Sequence, residues 1–211
     1  MPAAATPEEG QVRDVNTELL RALVEQAGAE ADCCGILRDD EALLRDTLQQ
    51  ALSRSDMVLI SGGSSVGAKD ATGRVLSALG TVLFHGLALK PGKPTILARV
   101  GDKPVFGLPG HPVAALFVAK LLVLPLIERL MGCAAVRHPI PAVLTEPVSA
   151  NHGRAQLMGV RLSERDGVRV ACPIRGKSGL ITSLAGADGF FEIPREREGV
   201  AAGETIEVYL L

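Results

Sequence analysis

Tryptophan is absent from the 211 residues, tyrosine occurs once, and aromatic side chains make up 3%. With 47% apolar residues, the core has to be built from Leu, Val, Ile and Ala. An excess of positive charge is missing too, the formal net charge being −2. Binding along a phosphate backbone rests on a basic surplus, so nucleic acid is not expected as the main partner. A local basic site for one small anion is compatible with that balance. The four cysteines, Cys33, Cys34, Cys133 and Cys172, form no C-x-x-C pair, and no Cys/His cluster has zinc-ligand spacing. They read as small buried hydrophobes in a reducing compartment. The opening run MPAAATPEEG has neither a positive segment nor an apolar one, so it is not a signal peptide. The most apolar stretch, 113–131, is interrupted by Lys120, Pro125, Glu128 and Arg129. A membrane span needs about 20 nearly uncharged residues, so this stretch reads as a long buried helix of a cytoplasmic protein without a membrane partner.

What is present fits two domains. A chain of this size buries roughly 70% of the surface its unfolded form exposes and needs no covalent staples. Residues 1–9 read as a flexible arm. Asn16 is placed to cap a helix whose apolar positions are Leu19, Leu20, Leu23, Val24 and Ala27, with Gly28 as its stop. ADCCGIL reads as a strand, and a second helix runs through Leu43, Leu44, Leu48, Ala51 and Leu52. MVLI is a short continuous apolar run, as in a strand buried on both faces. A third helix covers about 71–79, strands follow near TVLFHG, PTILARV and KPVFGL, and the turn PGHP leads into the long helix. Helices alternating with fully apolar strands indicate an α/β domain with a mostly parallel sheet flanked by helices, over 10–135. Beyond it, 136–211 contains short alternating runs separated by Gly, Pro, Asn or Asp, as in a small all-β, barrel-like domain.

In open α/β sheets ligands bind beyond the carboxyl ends of the strands, and four loops are candidates to meet there. SGGSSVGAKD is neither a Walker loop nor a dinucleotide fingerprint. Its Gly62, Gly63 and Gly67 allow a sharp turn with N–H groups aimed at one anion. Ser61, Ser64 and Ser65 add hydroxyl donors. The same residues also suit an ordinary strand-to-helix loop with Asp70 as cap. In RDD, one of Asp39 and Asp40 caps the second helix. Carboxylates there also suit Mg²⁺, which takes one or two carboxylates plus substrate phosphates. KPGKP holds Lys90 and Lys93 on a proline-fixed turn, suited to an oxyanion or simply solvated. LPGHP places Pro109, Gly110, His111 and Pro112 ahead of the long helix. His85, His138 and His152 stand isolated, and no Ser/His/Asp arrangement is supported.

Taken together, GQVRDVNTELL, GILRDD, SGGSSVGAKD, LALKPGKPTILA and GLPGHPVAAL resemble the molybdopterin molybdenumtransferases, the MoeA and gephyrin E-domain family of molybdenum cofactor biosynthesis. GKSGLITSLAGADGFFEI and AAGETIEVYLL resemble that family's C-terminal β-domain. The resemblance implies a MoaB/Mog-like molybdopterin-binding fold and an enzyme that inserts molybdate into adenylylated molybdopterin, releasing AMP with the help of Mg²⁺. It implies catalytic roles for Asp39, Asp70 and Lys90, with Asp39 and Asp70 as metal ligands. Ser61, Gly62, Gly63, Ser64, Ser65, Gly67, Lys93, Pro109, Gly110, Pro112 and Ser178 would contact the pterin substrate. A lysine frequent in the family is Gly86 here, and His111 replaces a frequent asparagine. The strand ending in Thr-Gly-Asp-Glu that opens the family's α/β domain is absent. A truncated C-terminal part, a split gene product and a degenerate paralogue are all consistent with that. The family works as a homodimer, and its substrate comes from a molybdopterin adenylyltransferase. Alternative readings are a non-catalytic molybdopterin-binding or scaffold module, a related adenylyltransferase, and a CinA-like hydrolase.

Overall fold

The computed structural model describes residues 1–63, 70–133, 138–176, 182 and 184–211. The chain divides into two units, one made of 1–87 and 94–134, the other of 88–93 and 135–211.

In the first unit, α1 (Asn16–Gln26) buries Leu20 and Leu23. Its expected cap is not Asn16. The Asp14 carboxylate instead accepts from the backbone N–H groups of Asn16 and Thr17, which leaves the Asn16 side chain available for other partners. Residues 29–37 form no strand, and Ile36 is 52% exposed. An extended segment gains stability from a ladder partner, and none pairs with it among the described residues. Asp40 caps α2 (Glu41–Arg54) by accepting from Ala42 and Leu43 N–H. Then come β1 (Val58–Ser61), α3 (Ala71–Leu79) and β2 (Thr81–His85). The short β3 (Leu89–Lys90) belongs to the second unit. β4 (Ile96–Val100) and β5 (Lys103–Leu108) complete the sheet.

The strand order is β1-β5-β4-β2, and the sheet is mixed rather than mostly parallel. Only β1 and β5 run parallel, while β5–β4 and β4–β2 are antiparallel. The reason is the Gly101–Asp102 turn, with Gly101 at φ +59°. Two residues close a hairpin but cannot carry the crossover that parallel strands need. Leu48 of α2 and Val75 and Leu76 of α3 pack on Ile96, Ala98 and Val105. Each of the buried Leu, Ile and Val side chains contributes about 1.5–3 kcal/mol.

The long helix exists, with an interruption. α4 (Pro112–Val118) is buried throughout, a π-helical turn spans Ala119–Val123, and α5 (Leu124–Leu130) follows. Pro125 has no N–H to give to the preceding turn, and the widened turn lies just ahead of it. No helix among the described residues is long and apolar enough to cross a membrane.

The second unit is a small β-barrel, as its alternating runs suggest. It is built from β6 (Ile140–Leu144), β8 (Ala155–Arg165), β9 (Val168–Pro173), β10 (Gly189–Ile193) and β12 (Thr205–Leu210). The ladder β10-β12-β6-β9-β8 closes because β8 also pairs with β10. Leu144, Val160, Phe191, Ile193 and Val208 fill it. β3 adds to β8 in parallel, and a two-stranded ribbon joins β7 (Val148–Ser149) to β11 (Gly199–Val200).

The cysteines correct the expectation of burial, since all four are exposed and unpaired. Cys33 and Cys34 lie in the strandless segment and Cys133 follows α5. Cys172 takes an exposed position of β9 between buried Ala171 and Pro173.

Candidate functional site

The parallel pair β1/β5 brings two of the four loops to one edge. Ser61 and Leu108 are in register at the ends of these strands, and Gly62 N–H donates to Leu108 O at 3.1 Å. The chain then turns through Gly62 at φ +88° and Gly63 at φ +66°, a conformation that L side chains rarely adopt. Beyond β5, Gly110 lies against this turn. A Cβ on Gly110 would be 3.6 Å from Gly62 Cα. Pro109 is buried, and Pro112 opens α4.

Asn16 links the two loops. It is 5% exposed, and its amide nitrogen donates to Ser61 Oγ at 2.7 Å and to the Gly110 carbonyl at 3.0 Å. Its buried Oδ1 has no hydrogen-bond partner among the described residues. Ser61, Gly62 and Gly63 line a groove of about 880 Å³ that Asp39 also lines.

Asp70 starts α3 beside the same turn, since its neighbours Ala71 and Thr72 line the groove with Gly63, and a Cβ on Gly63 would lie 2.9 Å from Thr72 Oγ1. Asp70 is 8% exposed and caps α3 by accepting from Gly73 N–H at 2.9 Å. Its Oδ2 is 3.6 Å from His85 Nδ1, an ion-pair distance beyond hydrogen-bond range. Asp70, His85, Arg74 and Ser77 line a separate hollow of about 480 Å³. Arg74 Nε donates to Glu41 Oε1 at 2.8 Å, tying α3 to the start of α2. That hydrogen bond holds the Glu41 carboxyl below the usual carboxylate range and raises the Arg74 guanidinium.

Asp39 and Asp70 therefore line different hollows. No group of three His, Cys, Asp or Glu side chains suited to a metal occurs among the described residues. Asp39 and Asp70 would hold magnesium only with oxygen ligands from the substrate's phosphates beside them.

Lys90 and Lys93 are grouped with the second unit, Lys90 standing opposite Gln156 in the β3/β8 ladder. Gln156 is 5% exposed, and its Oε1 lacks a partner among the described residues. Ser64, Ser65, Gly67 and Ser178 lie outside the described residues.

Sequence reasoning missed two participants. Asn16 read as a helix cap, and His85 as isolated. The only available signal for Asn16 was its place in GQVRDVNTELL. His85 becomes Asp70's neighbour through the placement of β2 beside α3, which no local pattern announces.

The family described as "Probable molybdopterin binding domain" matches residues 5–129. The region described as "MoeA C-terminal region (domain IV)" matches 141–211. A molybdopterin molybdenumtransferase of Haemophilus influenzae is 33% identical over 205 residues, covering 95% of this chain and 51% of that protein. Molybdopterin molybdenumtransferase 1 of Mycobacterium tuberculosis is 32% identical over 218 residues, covering 98% and 50%. The chain spans about half the length of the curated relatives it matches. The crystal structure of a molybdopterin biosynthesis MoeA protein from Pyrococcus horikoshii superposes with a TM-score of 0.86 at 38% identity, over 100% of this chain and 51% of that one. By these matches the chain belongs to the molybdopterin-binding domain family, joined to the C-terminal region of the MoeA proteins.

Proposed function

We propose that the chain acts in molybdenum cofactor biosynthesis as the substrate-binding part of a molybdopterin molybdenumtransferase. In this reading adenylylated molybdopterin receives molybdate at its dithiolene sulfurs, the pyrophosphate link is cleaved, and AMP leaves. The observation that carries the reading is the pair of loops after β1 and β5, with left-handed Gly62 and Gly63 and the Ser61 hydroxyl at one sheet edge, in a chain of this family. Glycine turns of this kind let backbone N–H groups and hydroxyls meet a phosphate closely. Ser61, Gly62 and Gly63, continued by Ser64, Ser65 and Gly67, hold the phosphate. Pro109, Gly110 and Pro112 shape the opposing wall. Asp70, buried and itself the cap of α3, is the carboxylate that orients reacting groups. Asp39 faces the groove. Lys90, Lys93 and Ser178 supply donors for an oxyanion. Magnesium would draw its ligands chiefly from the substrate's phosphates. The reading carries with it a cytoplasmic homodimer in the full-length family, supplied by an adenylyltransferase.

A second reading, a module that binds the pterin without turnover, is favoured by the engagement of the Asp70 carboxylate as the cap of α3, where it accepts from Gly73 N–H and lies 3.6 Å from His85 Nδ1. Native mass spectrometry after incubation with adenylylated molybdopterin, followed by an AMP-release assay with molybdate and Mg²⁺, tests both. The expected outcome is a retained pterin nucleotide with AMP release well below that of a complete relative. Failure to retain the pterin at saturating concentration overturns the proposal. Turnover at a complete relative's rate eliminates the binding-only reading and shows that the relatives' additional length is dispensable for the chemistry.

A further inference from the structure

We infer that Asn16 is a positioning residue that turns Ser61 into a dedicated donor for the ligand's phosphate and locks the loop after β5 against the loop after β1. The inference rests on the reading of the Gly62–Gly63 loop as a phosphate cradle.

The geometry fixes the direction of every bond. A carboxamide nitrogen carries two hydrogens and accepts nothing. One goes to Ser61 Oγ at 2.7 Å and the other to the Gly110 carbonyl at 3.0 Å. Turning the amide over is excluded, because a carbonyl facing Gly110 O would place two acceptors together. Ser61 Oγ therefore spends a lone pair on Asn16, and its own proton remains for another acceptor. Ser61 is exposed at the last position of β1, beside the left-handed glycines. A hydroxyl held this way presents its O–H to an anion instead of rotating among solvent orientations. The second hydrogen holds Gly110, whose Cα position already lies close to Gly62. One side chain thus sets the spacing of two loops that are far apart in sequence.

Two observations argue that Asn16 serves the site more than the fold. The structural task at the start of α1 is performed by Asp14, which accepts from the N–H groups of Asn16 and Thr17. And Asn16 is buried with its own Oδ1 unpartnered among the described residues. A buried acceptor without a donor is unfavourable for stability, so the two donors need another justification. Fixing the donor direction of Ser61 provides one.

The test is a double-mutant cycle on the full 211-residue chain, with inorganic pyrophosphate as the probe titrated by calorimetry. Ser61→Ala is expected to weaken binding about 10- to 150-fold, the scale of one lost hydrogen bond to a charged group, and Asn16→Ala by a smaller factor, since the hydroxyl stays and only its orientation is lost. The double variant is expected to be no weaker than Ser61→Ala, since Asn16 acts on the ligand through the Ser61 hydroxyl. Asn16→Asp keeps the shape but makes Ser61 donate inward and adds a negative charge. It should bind more weakly than Asn16→Ala, and it serves as the informative variant should the alanine protein fold poorly. Thermal midpoints should stay within a few degrees of the parent, whereas a purely structural residue would lower the midpoint and spare the affinity of the folded fraction. Additive losses, or parental affinity in Asn16→Ala, overturn the inference while the phosphate reading stands. A parent protein that does not bind pyrophosphate overturns the phosphate reading and the inference with it.

Discussion

Gly73→Ala is predicted to displace Asp70 while leaving overall stability almost unchanged. A Cβ built on Gly73 would sit 2.0 Å from Asp70 Oδ2 and 2.9 Å from its Cγ, far inside van der Waals contact. The nearest atom is the end of a short side chain, so the carboxylate swings away and the helix backbone stays. Swinging away breaks the 2.9 Å bond that Asp70 accepts from Gly73 N–H. Losing an N-cap of this kind costs about 1 kcal/mol, within a range of about 0.5–2. Alanine meanwhile stabilises a helical position by about 0.5–1 kcal/mol relative to glycine. The two contributions oppose each other and leave a net change of about 1 kcal/mol or less. Asp70 is 8% exposed, so the displaced carboxylate is partly desolvated, and the remainder falls on the destabilising side. Function should respond far more strongly, because the charge has moved while the fold has not. Urea denaturation of the parent, Gly73→Ala and Asp70→Asn, run beside the AMP-release assay in a complete family member, separates the effects. Asp70→Asn retains an oxygen that accepts from Gly73 but loses the charge. Both variants should lose turnover by at least about tenfold, equivalent to 1.4 kcal/mol. A Gly73→Ala protein more stable than the parent by a full 1 kcal/mol, with parental turnover, would refute the reasoning.

The remaining predictions concern stability. At Gly80, an added Cβ would lie 2.2 Å from the Arg99 backbone oxygen, and backbone does not yield as a side chain does. Gly80→Ala should therefore cost about 1–3 kcal/mol, read as a lower urea midpoint at unchanged m-value. Glu41, held below its usual range by the Arg74 hydrogen bond, gives a signed pH effect. A depressed carboxylate contributes stability above its unfolded value of about 4.3 and loses it as pH falls through the folded value. The stability difference between parent and Glu41→Gln should thus be present at pH 7, begin to shrink near the unfolded value of about 4.3 and be gone once the pH lies below the depressed folded value. A difference that grows on acidification would contradict the assignment. The effect should be small, because both partners are exposed.

The helices were legible because their signals are local. Asp40 before an apolar face at Leu44, Leu48 and Ala51, and Asp70 before Val75 and Leu76, declare their own starts and buried sides. The strands were legible as apolar runs, yet their direction was not. Parallel and antiparallel neighbours bury the same residues, and only the two-residue Gly101–Asp102 connection carried the information. The run at 31–37 shows the opposite failure, with strand-like composition and no ladder among the described residues. Cys33 and Cys34 shared its fate and are exposed with it. At the site, glycine and proline positions were readable from the turns they require. Asn16 was not, because its hydrogen bonds reach across 45 and 94 residues of sequence.

The strand β3 has a consequence for where this chain can be cut. It lies in the segment 88–93, which is inserted in the sequence of the first unit yet belongs to the second, where β3 extends the sheet beside β8. A gene fragment ending at residue 134 would carry a strand without its sheet, and one beginning at 135 would encode a barrel with a bare outer edge along the start of β8. A bare edge offers unpaired N–H and C=O groups to any extended chain nearby.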